Sequence, residues 1–139
     1  QAGQRSDMLA SAIDFMPSVL ARAGLQPFTG VQGVDVVGLV QEGRQPDRTG
    51  VIIEADELPE NVDVEDFFKV RTFTDGRWRM TLWVEEDFGE LYDRDHDPLE
   101  LHNLWNEPEY HADRARLVEA MLKEQYRYAD LMPRPVYMG

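Results

Sequence analysis

The sequence contains no cysteine, which excludes disulfides, thiolate zinc sites and a thiol nucleophile. It has no run near the roughly 18 apolar residues of a membrane-spanning helix. Lysine is scarce: only Lys69 and Lys123 occur, and 14 basic residues face 27 acidic ones for a net charge of −13. Such a field repels phosphate backbones and anionic lipid surfaces alike, so neither nucleic acid nor a membrane is an expected partner. The opening stretch QAGQRSDMLA has neither the apolar run of a signal peptide nor an initiator Met, and is expected to be a cut rather than a native start. A soluble protein is expected, cytoplasmic or periplasmic, with nothing to decide the compartment. At 139 residues the chain can bury one modest core.

Reactive constellations are also scarce. The chemistry-bearing residues concentrate in GELYDRDHDPLELHNLWNEPEY, residues 89–110. Asp93, Asp95 and Asp97 stand at the first three ligand positions of a calcium loop, but Pro98 replaces its turn-making glycine and Leu104 its bidentate Glu. His96, His102 and His111 lack the helical spacing that lets two imidazoles share an ion. Ser6, Ser11 and Ser18 are the only serines and none lies in G-x-S-x-G; helix capping explains Ser11 and a helix-surface position Ser18. Gly30, Gly33 and Gly38 form no phosphate-cradling motif. No catalytic residue and no metal ligand set is expected. The stretch reads as a structural corner: a strand carrying Tyr92, an Asp-Pro turn, and Leu101 and Leu104 pinning the chain before a helix.

The rest of the chain supplies an α+β pattern. Residues 11–23 place Ala12, Ile13, Met16, Val19, Leu20 and Ala23 at helical spacing, which predicts a helix with one buried stripe, starting between Ser11 and Asp14 and irregular near Pro17. Gly- and Pro-rich residues 24–50 predict loop, with a helical turn at Val36 to Val40. Residues 50–55, GVIIEA, predict a strand, and DELPENVDVED a surface loop. DFFKVRTFT and RWRMTLWV flank Asp75-Gly76, predicting a hairpin in which Phe73 faces Trp78, Arg71 faces Met80 and Lys69 faces Leu82. Arg71 would then sit among apolar neighbours and need a carboxylate, unless the register slips by one. GELYD predicts a further strand of the meander. Residues 107–130 predict a long helix with a stripe of Leu117, Val118, Met121, Leu122 and Tyr126, capped by Asn106 with Pro108 in its first turn. The tail LMPRPVYMG reads as extended. Together these give a small antiparallel meander of three to four strands packed against a long C-terminal helix and preceded by an N-terminal helix.

Several of these stretches resemble the C-terminal end of the sulfatase family, in the alkaline-phosphatase-like superfamily. Glu90-Leu91-Tyr92-Asp93, Asp97-Pro98, Glu100 and Asn103-Leu104 look like its ELYDL-x-x-DP-x-E-x-x-NL signature. SAIDFMPSVLARAGL is similar to its S-x-x-D-x-x-PT-x-L-x-x-AG helix, with Ser18 for Thr. GVDVVGLVQEG resembles its G-x-S-L-x-P-L-L-x-G segment, with Asp35 for Ser and Gly38 for Pro. VRTFTDGRWRM resembles its VRT strand and the strand that follows.

This resemblance implies the carboxy-terminal piece of a sulfuric ester hydrolase. The parent would carry a formylglycine nucleophile and a calcium ion, but no serine here is followed by Pro and Arg at the family's spacing and the metal ligands belong upstream. The piece would be inactive alone. Residues 1–50 would belong to the missing catalytic main domain, and 51–139 would form a C-terminal subdomain that supports it and helps select a sulfate ester. Arg71, Arg79, His96 and His102 are the candidate substrate-binding side chains, because guanidinium and imidazolium donate several hydrogen bonds to oxyanions; surface solubility or internal ion pairing is the competing explanation for each. A homo-oligomer is compatible. A phosphonate or phosphate ester hydrolase of the same superfamily, or a stand-alone interaction module, are the alternative readings. In an independent module the Ile13, Met16, Val19 and Leu20 stripe should be covered within the chain; in a piece built for a missing domain it should be bare or buried in a dimer.

Overall fold

The computed structural model describes Gly3, residues 5–57 and residues 68–128, with only the backbone of Glu57 and Phe68. Residues 58–67, which hold most of the expected surface loop DELPENVDVED, and the expected extended tail after Tyr128 lie outside the described residues, whereas Asp56 and Glu57 of that expected loop end a strand. The chain divides into two compact units, Thr49–Gln125 and Gln1–Arg48 with Tyr126–Gly139, here called the sheet unit and the helical unit.

The sheet unit is a four-stranded antiparallel meander, β1 (Val51–Glu57), β2 (Phe68–Thr74), β3 (Trp78–Trp83) and β4 (Gly89–Asp93), in chain order across the sheet. Alternation along the strands sends Phe73, Trp78, Met80 and Leu91 to one face, where they form the core with Leu117 and Met121 of α3 (His111–Arg127). Ile52, Leu82, Leu104, Trp105, Tyr110 and Ala120 close the cluster from its sides. An α+β meander packed on a long helix is therefore present, as the pattern of apolar residues implied.

The β2–β3 register differs from the expected one. Phe73 pairs with Met80, Arg71 with Leu82 and Thr72 with Thr81, a shift of two residues. The cause is Asp75, whose carboxylate accepts the N–H groups of Arg77 (3.1 Å) and Trp78 (2.8 Å) while its own N–H reaches the Trp78 carbonyl at 3.3 Å. Asp75 thus closes the strand and Gly76-Arg77 makes the turn, with Gly76 at φ 100° in the first central position, where a side chain would be strained. A shift of two keeps every side chain on its face, so the core assignment holds although the partners change.

Helix α3 follows a 3-10 turn, Pro108–Tyr110, whose N-cap is Glu107 rather than Asn106. Its buried line runs through Leu117, Met121 and Glu124, whereas Val118, Leu122 and Tyr126 of the expected stripe are exposed. Glu124 accepts from the Thr49 backbone N–H at 2.8 Å and from the Thr49 hydroxyl at 2.9 Å, tying the helix to the lead-in of β1.

In the helical unit a 3-10 turn, Ala12–Asp14, leads into α1 (Phe15–Arg22), and Asp35 caps α2 (Val36–Glu42) by accepting the Gly38 N–H at 2.9 Å. The helix at 11–23 and the turn at 36–40 are present, the second two residues longer. The burial of α1 is the reverse of the expected one: Asp14, Pro17 and Ser18 are buried, while Ile13, Phe15, Met16 and Val19 are exposed. Ser18 is an interior residue, not a surface one; its hydroxyl donates to the Asp14 carbonyl (2.7 Å) and accepts the Val36 N–H (3.1 Å). Of the expected stripe, Ile13, Met16 and Val19 are bare among the described residues and Leu20 is half-buried.

Candidate functional site

The corner 89–110 is built outward from Asp93, the last residue of β4. Strand alternation turns its carboxylate to the core face opposite Trp78, where Asp93 keeps only 5% of its surface. Arg77, held at the end of the hairpin turn, donates to it through Nε (2.9 Å) and Nη2 (2.6 Å), a two-point fork. His96 Nδ1 lies 2.8 Å from Oδ2, and the Asp95 N–H donates to Oδ1 at 3.2 Å. The Arg77 fork, helped by His96 and the Asp95 N–H against the cost of burial, holds the Asp93 carboxyl far below the ordinary carboxylate range; the same fork raises Arg77 further above its usual value. Arg77 also lies over the Trp78 ring at 5.0 Å.

The chain then turns through Asp97-Pro98. The Asp97 N–H donates to the Asp93 carbonyl at 2.7 Å, and the Asp97 carboxylate accepts the His102 N–H at 2.8 Å. Glu100 adopts φ 55°, the only positive φ outside glycine among the described residues, and its carboxylate reaches Arg79 Nη2 at 2.8 Å and Arg94 Nε at 3.5 Å. Arg79 lies over the Tyr92 ring at 5.3 Å and also pairs with Glu90 at 3.5 Å.

Asn103 locks the return path. Its Oδ1 accepts the N–H groups of Leu91 and Trp105 at 3.0 Å each, and its Nδ2 donates to the Gly89 carbonyl at 3.0 Å. With the Leu104 N–H donating to the Leu91 carbonyl at 2.8 Å, these bonds occupy the outer edge of β4, which would otherwise offer unpaired backbone groups. Trp105 lies flat against Gly89, where an added Cβ would come within 2.6 Å of the indole. Arg114 of α3 covers the indole at 4.6 Å and donates to the Trp105 carbonyl at 2.8 Å, fastening corner to helix. Leu104 packs on the core; Leu101, expected to pin the corner beside it, is exposed.

The four candidate substrate residues occupy different places. Arg71 projects on the core face from β2, where Glu54 meets it at 2.9 Å and Asp56 at 2.5 Å, meeting the need for a carboxylate that its apolar surroundings implied. Arg79 lies on the opposite face between Glu90 and Glu100. His96 and His102 both lie in the corner; the His96 ring is 79% exposed and oriented through Nδ1, and His102 is exposed. The structure thus joins Arg79 to the corner through Glu100, sets the histidines on the same loop, and keeps Arg71 apart.

Sequence reasoning missed two sites of buried charge. Arg77 was unassigned, although an Arg after Asp-Gly, facing an Asp at the end of the next strand, is a readable cross-strand pairing. In the helical unit, Arg48 grips Asp14 in a fork of 2.8 and 3.0 Å, with side chains 2% and 1% exposed, and Asp14 also accepts the N–H groups of Ser11 (2.8 Å) and Val34 (3.0 Å). Burial works to raise the Asp14 carboxyl, but the Arg48 fork and the two backbone N–H groups outweigh it and hold the carboxyl below its ordinary range. Thirty-four residues separate the partners, and no local pattern links them.

Among the described residues, no three His, Asp or Glu side chains are grouped so that they could hold a metal ion. No helix of the described residues is long and apolar enough to cross a membrane. The calcium and formylglycine that the resemblance implies find neither a ligand set among the described residues nor a precursor motif in the sequence.

The geometry agrees with what the chain is similar to. Residues 1–127 match the family model of N-sulphoglucosamine sulphohydrolase, C-terminal. The chain is 26% identical over 136 residues to the N-acetylglucosamine-6-O-sulfatase of Bacteroides thetaiotaomicron, covering 96% of this chain and 24% of that protein. Among solved structures, a 2-O GAG sulfatase superposes with a TM-score of 0.75 at 23% identity, over 91% of this chain and 27% of the other. The phosphonate monoester hydrolase of Agrobacterium radiobacter gives 0.74 at 23% identity, again over 91% of this chain and 27% of the other. These two likenesses speak for the fold. The chain spans about a quarter of the length of the relatives it matches. With the family model covering nearly all of it, the chain belongs to the sulfatases, in the C-terminal family of N-sulphoglucosamine sulphohydrolase.

Proposed function

We propose that this chain is the C-terminal portion of a sulfuric ester hydrolase acting on a sulfated amino sugar, inactive by itself, in which the sheet unit braces the catalytic region and the corner loop faces the substrate. The observation that carries this reading is the family match over residues 1–127, joined to a 26%-identical relative that hydrolyses sulfate on N-acetylglucosamine by its name. In this reading residues 1–50 belong to the main domain and 51–139 to the subdomain. Calcium and formylglycine reside in the catalytic region.

The roles of the four cationic residues follow from what they already hold. Arg71 and Arg79 each engage two carboxylates, so their charge is largely spent inside the protein. Arg79 positions the corner by holding Glu100. His96 and His102 are left to meet an anionic ester, His96 with its ring fixed by Asp93 and Nε2 directed away from that contact. The test is turnover of 6-O-sulfated N-acetylglucosamine by the full-length enzyme. Wild type should turn over, and His96→Ala and His102→Ala should raise KM with little change in kcat. An enzyme with no sulfatase activity contradicts the reading.

The second reading, a phosphonate monoester hydrolase, is favoured by the likeness to the Agrobacterium enzyme. Cleavage of an aryl phosphonate in preference to any sulfate ester would establish it.

A further inference from the structure

Asp75-Gly76 is the only Asp-Gly step in the sequence, and there is no Asn-Gly. That pairing has a chemistry of its own. Glycine carries no side chain to shield its amide nitrogen, so the nitrogen can reach the carboxyl carbon of the preceding aspartate. Attack of the Gly76 nitrogen on Asp75 Cγ forms a C–N bond and closes a five-membered imide; the carboxyl hydroxyl leaves with the amide proton as water. Water then opens the imide at either carbonyl. One opening restores Asp75. The other leaves the main chain running through the side-chain carbonyl, one methylene longer, with the former main-chain carbonyl now a pendant carboxylate. The water released is the water taken up, so no further reactant is needed.

In the folded hairpin both reacting groups are engaged elsewhere. Asp75 Oδ1 is turned forward onto the N–H groups of Arg77 (3.1 Å) and Trp78 (2.8 Å), and Oδ2 faces Arg116 Nη1 of α3 at 3.8 Å. The Gly76 N–H donates to the Thr74 hydroxyl at 3.2 Å. Ring closure requires the carboxyl carbon to swing back over the Gly76 nitrogen, which breaks the Asp75 contacts and removes the Gly76 proton from Thr74. Trp78 and Phe73 beside the turn are buried in the core, so the hairpin opens here only at a cost to that packing.

We infer that Asp75-Gly76 is a site of spontaneous isoaspartate formation that the folded hairpin keeps closed, and that its conversion unfastens the corner. The isoaspartyl form loses the cap that sets the β2–β3 register, because the side-chain carbonyl that held Arg77 and Trp78 becomes part of the main chain. It also lengthens the chain just ahead of Arg77, whose Nε and Nη2 reach Asp93 at 2.9 and 2.6 Å. Bonds that short leave no slack for an added methylene of about 1.5 Å. None of this depends on which ester the enzyme hydrolyses.

The test incubates the full-length protein and the free peptide RTFTDGRWRM, residues 71–80, side by side at neutral pH and physiological temperature. Isoaspartate at position 75 is counted by peptide mapping and by enzymatic methylation of isoaspartyl residues. The peptide should convert, and the folded protein should convert at least about tenfold more slowly. Guanidinium should bring the protein to the rate of the peptide. Thr74→Val, which keeps the shape and removes the acceptor of the Gly76 N–H, should raise the rate in the folded protein by about two- to tenfold. Equal rates in folded protein and peptide, no conversion in either, or an unchanged rate in Thr74→Val would overturn the guarded site. For the second half of the inference, converted and unconverted protein are separated after incubation in guanidinium and refolded together. The converted form should unfold at least about 4 °C earlier, and an equal Tm would overturn the link to the corner.

Discussion

The two units of this chain differ in what their described interiors are made of: both bury carboxylates, but only the sheet unit buries a cluster of large apolar side chains. The sheet unit has an apolar interior of Phe73, Trp78, Met80, Leu91, Leu117 and Met121, with the bonded carboxylates of Asp93 and Glu124 buried beside it. The helical unit has at its centre an Asp14–Arg48 pair and the Ser18 hydroxyl, with its apolar side chains outward. Every buried large apolar residue of the described chain lies between Val51 and Met121. Hydrophobic burial drives folding at about 25 cal/mol per Å². The sheet unit uses that driving force in its own interior; the helical unit holds its described interior with an ion pair and hydrogen bonds instead.

Mutations can break or sharpen this contrast. Phe73→Ala should cost the sheet unit about 3–5 kcal/mol, read by denaturant unfolding, because it opens a cavity in a fully buried cluster. Arg48→Ala should cost the helical unit about 3 kcal/mol through the uncompensated Asp14 charge, and the loss should show in the exchange of α1 amides with those of β2 to β4 unmoved. Asn103→Ala removes three hydrogen bonds at the β4 edge and should cost about 2 kcal/mol, confined to the sheet unit. The smallest effect is the acid response. Asp93 and Asp14 both titrate below their ordinary 3.8 when folded, so the unfolded chain takes up protons first; their stabilisation is complete above about pH 4 and fades as pH falls further. Asp93→Asn should flatten the fall in Tm below pH 4 relative to wild type.

The legible parts of the fold were those fixed by short-range pattern. Alternation from Trp78 to Leu82 and the helical spacing of Leu117 and Met121 each state which side is apolar, and the core follows. The hairpin register was not legible from Asp75-Gly76 alone, because the Asp75 side chain captures the backbone of Trp78 and moves the turn one residue along. The stripe of α1 was legible as a stripe but not in its burial, since periodicity names a face without naming what lies against it. At the corner, the signature residues were recognisable and their work was not: Asp93, Asp97, Glu100 and Asn103 are spent on backbone groups and guanidiniums of the protein itself. Long-range pairs such as Asp14–Arg48 leave no local trace.

Hydrogen exchange on the 139-residue chain tests the central contrast most directly. The account predicts slow exchange through β2, β3 and β4, with α1 amides from Met16 to Leu20 at least about tenfold faster. Equal protection of α1 and the strands would show that an ion pair and hydrogen bonds hold the helical unit as firmly as an apolar cluster holds the sheet unit, and would contradict the account.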